Sequence, residues 1–321
     1  MKKFLGTKSD FLGKEFKLNN RRLAVEDVIA EGGFSIVFLV YCEADGKHYA
    51  LKRLFVNEDS KLMMCRQEIE ITRKLSGHKN IAECLDACIT AVGNDVNEVL
   101  ILLQYYKSLI VSILDEMNER LNRRYTESEV LKIFCDVCEA VSSLHHNAVP
   151  IIHRDLKIEN LLRDGKGNVR LCDFGSATFT VLNPLVDGIG AVSDELQKYT
   201  TLQYRSPEMV DLYSYQSISF KSDIWALGCL LYRLCFFTNC FGDSVMAISN
   251  GQFTVPDDCP YSDRLLKLIK YMLQTDPDDR PDIYQVSHLA FTLANKFQCP
   301  ISNFNVSFDN QRSCRFVHEK K

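Results

Sequence analysis

Apolar residues alternate with polar ones in the first third of the chain, whereas later they recur every three or four positions. From Leu23 to Leu54 the alternating, β-branched runs are broken by Glu31-Gly32-Gly33 and Ala44-Asp45-Gly46, and this pattern predicts a small antiparallel sheet. Cys65 to Leu75 carries a helical period that stops near Gly77, and Val99 to Leu103 reads as a short buried strand. Thr126 followed by Glu129 has the form of a capping box. Behind it, Val130, Ile133, Phe134, Val137, Val141 and Leu144 make one apolar helical stripe. Further helices are predicted over Ser222 to Phe236 and Asp263 to Leu273, and periodicity fades from about Lys296 onward, which predicts a short tail. Strands first and helices afterwards predict an α+β fold with a small β-rich part and a larger helical one.

Composition narrows the ligand classes. A chain of 321 residues exceeds one average domain, and its 46% hydrophobic content is ample for a buried core. The net charge of -4 argues against nucleic acid as the main ligand. The longest apolar run, Ile224 to Phe237, is interrupted by Arg233, so no membrane span is predicted. The start, Met1-Lys2-Lys3-Phe4, lacks a signal-peptide core and a myristoylation glycine, and the expected location is cytoplasmic. The 13 cysteines are scattered through apolar segments and are expected to be reduced. Cys135 and Cys138 form a CxxC on the predicted helix, without a second pair at zinc-finger spacing, and are read as core residues.

The chemistry is concentrated in His153-Arg154-Asp155-Leu156-Lys157-Ile158-Glu159-Asn160 and in Asp173-Phe174-Gly175. Phosphoryl transfer from ATP needs charge neutralisation on the phosphates, Mg²⁺ to bridge them, and a carboxylate to orient the attacking hydroxyl. Asp155 is the candidate base, a role worth roughly 10²- to 10⁴-fold in rate. Asn160 and Asp173 are candidate Mg²⁺ ligands, since that hard ion prefers oxygen. Lys52, on a predicted strand after Tyr49-Ala50-Leu51, is placed to reach the α- and β-phosphates, and Glu68, early in the next helix, to pair with it. Any one of these reads alone as an ordinary charge; five in order at compatible spacings do not.

The ordered set resembles eukaryotic protein kinases from about Val25 to Phe291. Ser206-Pro207-Glu208 resembles the family's Ala-Pro-Glu, Asp223-Ile224-Trp225 with Gly228 its Asp-x-Trp-x-x-Gly, and Arg280 stands where an arginine pairs with that glutamate. The resemblance implies a bilobal fold with an ATP cleft between the lobes: an N-terminal extension (1–22), an N-lobe (23–103), a hinge (104–106), a C-lobe (107–295) and a tail (296–321). It makes Leu103 the gatekeeper, gives adenine to Gln104 through Tyr106, and adds Val37, Ala50, Leu162 and Cys172 to the nucleotide-contacting set. Lys157, two residues after the base, marks serine/threonine specificity in this family, and Thr201 is spaced from Pro207 like the hydroxyl that contacts the catalytic aspartate and lysine.

The phosphate loop departs from the family pattern. It reads Ala30-Glu31-Gly32-Gly33-Phe34-Ser35-Ile36-Val37, with alanine and serine at the first and third glycine positions, and only Gly32 retained. Ala30, Glu31, Gly32, Gly33, Phe34 and Ser35 remain the expected phosphate-loop residues, because the central glycine is where backbone must approach most closely. That wording of the loop is similar to the Numb-associated kinases, near their adaptor-associated and BMP-2-inducible members. So are Leu75-Ser76-Gly77-His78-Lys79-Asn80-Ile81, Leu171 through Thr178, Lys198 through Leu202, and Asp282 through Ser287.

The subfamily resemblance implies a constitutively active serine/threonine kinase acting with ATP and Mg²⁺ on threonine in the medium chain of clathrin adaptors, hence a role in endocytosis and receptor signalling and recruitment to endocytic membranes through partners. It also implies an extra helix after the activation segment, between Pro207 and Phe220. Tail-mediated clathrin and adaptor binding is not expected of a chain that stops at Lys321. Arg154 is a candidate receptor for a phosphate on the segment Ser176 to Arg205, although the resemblance favours a segment ordered by packing. The alternative reading is a pseudokinase scaffold in trafficking or Notch-type signalling complexes, suggested by the altered glycine loop; the retained base and metal ligands argue against it.

Overall fold

Ile36, Phe38, Val40 and Cys42 are buried and the residues between them are not, the signature of a strand with one face on a core. That strand is the third of a six-stranded sheet. The computed structural model describes residues 8–31, 35–93, 95–105, 112–120, 123–296, 298–302, 305–309 and 313–317, and the chain divides into two compact units, residues 1–110 and 111–321.

In the first unit a single turn, α1 (Lys8–Phe11), precedes strands β1 (Glu15–Leu18), β2 (Arg21–Glu31), β3 (Ser35–Cys42), β4 (Lys47–Val56), β5 (Cys84–Gly93) and β6 (Val96–Gln104), with α2 (Asp59–Leu75) after β4. The sheet order is β1-β2-β3-β4-β6-β5, and every neighbouring pair is antiparallel. Residues 15–18, assigned from sequence to an N-terminal extension, are thus the edge strand of this sheet. Leu18, Leu23, Phe38, Leu51 and Leu102 form a fully buried core. Register puts Val37 opposite Lys52, and Ala50 opposite both Leu39 and Leu103, so Val37, Ala50, Lys52 and Leu103 share a face. Through Cys65 and Ile69, α2 packs against Val99, Ile101 and Leu103. The helix begins at Asp59 rather than Cys65: Asp59 and Ser60 are exposed, and Leu62, which packs on the same core, extends the stripe of Cys65 and Ile69 back by one turn.

The second unit is built around α4 (Glu127–His145) and α8 (Phe220–Phe236). The capping box at Thr126 and Glu129 is formed in both directions, and all six residues of the predicted α4 stripe are buried. Cys135 and Cys138 lie inside α4, where burial pushes the Cys135 thiol up to about 12 and raises Cys138 well above the usual thiol range. On α8 almost every residue is buried, as expected of a helix whose middle, Ile224 to Tyr232, is apolar all round. Ahead of α4 comes α3 (Ile113–Glu119), and after it the short ribbon of β7 (Leu161–Arg163) and β8 (Val169–Leu171). Next are α5 (Pro184–Asp187), α6 (Ile189–Tyr199) and α7 (Pro207–Val210); α9 (Val245–Asn250), α10 (Asp263–Met272), α11 (Ile283–Leu293) and a ribbon of β9 (Asn305–Asp309) with β10 (Ser313–Val317) follow α8.

Two expectations need correction. Residues 208–219 hold no long helix: α7 is one turn, a 3-10 turn spans Leu212–Ser214, and Tyr215 takes a left-handed φ of 55°. The additional helix lies upstream, as the eleven-residue α6, where Ile189, Val192 and Leu196 meet Leu182, Met209, Leu212 and Ile218. Serine- and tyrosine-rich Asp211–Ser219 lacks such a stripe and instead bonds its own backbone, through the Asp211 side chain and the Ser214 hydroxyl. The tail also holds paired strands, although its sequence shows little period.

Candidate active site

In the first unit the Lys52 Nζ donates to Glu68 Oε1 at 2.6 Å, with both side chains largely buried. Strand pairing aims Lys52 from β4, and α2 brings Glu68 to it. Val37, Ala50 and Leu103 line the same half-buried face, and Ala30 is cross-strand from Val37. Glu31 and Ser35 end β2 and start β3. Gln104 is the last residue of β6; its backbone N–H donates to Glu83 O at 2.9 Å and its side chain to Tyr105 O at 3.0 Å. Gly32, Gly33, Phe34 and Tyr106 lie outside the described residues.

In the second unit, the segment joining α4 to β7 holds a charged triangle. Lys157 Nζ donates to Asp155 Oδ2 at 2.6 Å and to Thr201 Oγ1 at 3.1 Å, and the Thr201 hydroxyl donates to Asp155 Oδ1 at 2.6 Å. Asp155, Lys157 and Thr201 are therefore brought together across a sequence gap that no local pattern spans. The Asn160 amide N–H donates to Asp155 O at 2.9 Å, and the amide's Oδ1 is the side-chain atom chemically able to ligate a cation. The Asn160 carbonyl accepts from the Cys172 backbone N–H at 3.0 Å and from its thiol at 3.3 Å, so the end of β8 is fastened beside Asn160 and Asp173 follows directly. Asp173 has a left-handed φ of 62° and a carboxylate that accepts from the Gly175 N–H at 3.4 Å. Two side-chain oxygens at adjoining positions, one carboxylate and one amide, fit Mg²⁺, which takes few ligands from protein. Leu162, on β7, is half-buried.

Asp223 holds this loop from below. Its carboxylate accepts from the backbone N–H groups of His153 and Arg154 at 2.8 and 2.9 Å, and contacts His145 Nε2 at 2.9 Å. Burial holds His153 below the usual imidazole range; the neutral ring packs on Phe174 and accepts from the Asp155 N–H at 3.3 Å. Arg154 has a φ of 67°, a conformation costing roughly 1–3 kcal/mol that is retained where surrounding contacts enforce it.

Residues 23–292 match the protein kinase domain. The chain belongs to the protein kinase domain family. Serine/threonine-protein kinase sel-5 of Caenorhabditis elegans is 43% identical over 284 residues, which cover 87% of this chain and 26% of that relative. Serine/threonine-protein kinase ppk30 of Schizosaccharomyces pombe is 39% identical over 278 residues, covering 85% of this chain and 29% of its own length. The chain thus spans between a quarter and a third of the length of these curated relatives. The expected pairing of Glu208 with Arg280 is present: a fully buried, two-pronged ion pair at 2.8 and 2.9 Å.

Sequence reasoning missed one member of this kinase-domain site. The Arg154 guanidinium, named as a candidate phosphate receptor, is occupied by a carboxylate: Nη1 bonds Glu195 on α6, Nε donates to Ser176 O at 2.5 Å, and the group lies 5.1 Å from the Tyr199 ring centroid. Glu195 and Tyr199 stand one helical turn apart, a spacing that could have flagged a shared face, but nothing local links either to Arg154. No helix among the described residues is long and apolar enough to cross a membrane.

Proposed function

We propose that this chain is a serine/threonine protein kinase that transfers the γ-phosphate of ATP to protein hydroxyls. The observation that carries the reading is the triangle of Asp155, Lys157 and Thr201. Asp155 accepts the proton of the acceptor hydroxyl as its oxygen bonds to the γ-phosphorus and the bond from that phosphorus to the bridging oxygen breaks, releasing ADP. Lys157, held between the base and Thr201, offsets charge as the phosphoryl group passes. Asn160 and Asp173 hold Mg²⁺, and Lys52, kept in place by Glu68, neutralises phosphate oxygens. Bound Mg²⁺ supplies charge neutralisation across the phosphates. Leu103, Gln104, Tyr106, Val37, Ala50, Leu162 and Cys172 serve the nucleotide, together with the phosphate loop from Ala30 to Ser35.

The preferred acceptor is threonine in a clathrin-adaptor medium chain, which places the protein in endocytosis. This finer reading is supported by the long strings shared with Numb-associated kinases, and Lys157 with Thr201 supports the hydroxyl class. The test is transfer of labelled phosphate to adaptor medium chain and to the same chain with its acceptor threonine changed to alanine. Labelling of the first alone supports the assignment; equal labelling of both, or preference for unrelated protein, overturns the adaptor reading.

A further inference from the structure

Glu159 sits in the catalytic loop between Lys157 and Asn160, exposed, four residues after the proposed base. A carboxylate there would attract a basic side chain flanking the acceptor of a bound peptide. An extended peptide advances about 3.3 Å per residue, so a side chain two or three positions from the acceptor reaches about 7–10 Å along it. The loop is compact here, for the Asn160 side chain, next to Glu159, returns to the Asp155 carbonyl at 2.9 Å. Yet Glu159 is already paired. Arg233, from the last turn of α8, donates through Nη1 to Glu159 Oε1 at 2.8 Å and to the Tyr204 hydroxyl at 2.8 Å. Tyr204 is buried, accepts from the Ile158 N–H at 3.4 Å, and follows Thr201 by three residues. Arg233 is thus seated against both the catalytic loop and the segment that carries Thr201, with most of its side chain out of water.

We infer that Arg233 is a specificity-determining residue: by neutralising Glu159 it closes the acidic subsite beside Asp155 and turns the enzyme away from acceptors flanked by arginine or lysine. The inference rests on the kinase reading above. Its physics is a competition for one carboxylate. A substrate arginine would have to displace an intramolecular cation already anchored by Tyr204, and if it failed it would lie beside a like charge. Neutral flanking residues meet neither difficulty.

The experiment measures kcat/KM for a threonine peptide carrying arginine at the second or third position before the acceptor, divided by the value for the same peptide with alanine there. Because the ratio is internal to each variant, it is independent of general loss of activity. The wild-type ratio is expected at or below about one. Arg233→Ala should raise it roughly fivefold, the size of an exposed ion pair, and adding Glu159→Gln should return it. Arg233→Lys, which keeps the cation, should hold the wild-type ratio. Should Arg233→Ala fail to fold, Glu159→Gln alone, at an exposed position, should lower the ratio further by freeing Arg233. A wild-type preference for arginine, or ratios that do not move among these variants, overturns the inference while leaving the kinase reading intact. Absence of transfer to every peptide removes the kinase reading, and this inference with it.

Discussion

Replacing Glu195 with glutamine removes one charge and almost no volume from the contact that ties α6 to the loop carrying Arg154 and Asp155. Its partner, the Arg154 side chain, is 1% exposed, while Glu195 is 35% exposed. Breaking a fully buried pair from one side costs about 3–5 kcal/mol, since the remaining charge is left without a counter-ion in low dielectric. Two features reduce that here. Glu195 is partly solvated in the native state, so its charge is screened. The Ser176 carbonyl and the Tyr199 ring still face the guanidinium. The expected loss is about 1–2 kcal/mol for Glu195→Gln and somewhat more for Glu195→Ala, which also loses the acceptor oxygen. Urea unfolding followed by circular dichroism reads the stability term. Turnover on a fixed threonine peptide reads the second consequence: α6 no longer braces Arg154, and kcat falls by more than KM changes. Because a carboxylate already serves Arg154, phosphatase treatment should leave wild-type turnover unchanged. Unaltered stability and kcat in Glu195→Ala would refute this reasoning.

Other expected outcomes follow from the same contacts. Glu208→Gln strands a fully buried Arg280 and should destabilise by about 3–5 kcal/mol; urea midpoints check it, and a loss below about 1 kcal/mol would contradict it. Gly228→Ala should cost about 1–3 kcal/mol by overpacking, because a Cβ there would lie 2.7 Å from Leu273 Cδ2 and 3.1 Å from Met272 Cβ; unchanged thermal stability would show that α8 and α10 can separate freely. The hydrogen bond from Arg120, with those from Thr126, holds Glu129 down to about 2. A depressed carboxylate stabilises the fold above its ordinary titration range and loses that contribution as pH falls toward about 2. Wild type should therefore exceed Glu129→Gln by about 0.5–1 kcal/mol near neutral pH, after allowance for solvent screening. The gap should close on acidification below about pH 4, and one that persists near pH 2.5 would sink the assignment.

Periodicity carried far where one element packs on one core. The α4 stripe, its capping box and the alternation of β3 were all legible because burial acts on residues a fixed number of positions apart. The start of α2 was not, since Asp59 to Met64 offers one core-facing residue, Leu62, among largely exposed neighbours, too little to mark a turn by itself. Placing the added helix between Pro207 and Phe220 took it from resemblance rather than from the stripe of Ile189, Val192 and Leu196, which was present and unused. At the site, the short motifs name residues whose chemistry is recognisable in isolation. The contacts that position them are long-range: Thr201 reaches Asp155 across 46 positions, Glu195 reaches Arg154 across 41, and Asp223 reaches His153 across 70. Such partners are chosen by topology, and a reading of neighbouring residues has no access to them.

The central claim is that Asp155 acts as the base of a phosphoryl transfer whose Mg²⁺ is held by Asn160 and Asp173. The most direct measurement is single-turnover transfer from γ-labelled ATP to a threonine peptide, with Mg²⁺ titrated, for wild type, Asp155→Asn and Asp173→Asn. Transfer by wild type, with a loss of roughly 10²-fold or more in Asp155→Asn and a marked rise in the Mg²⁺ requirement of Asp173→Asn, is the predicted result. Undiminished turnover in a folded Asp155→Asn variant, or no transfer by the wild-type chain, would contradict it.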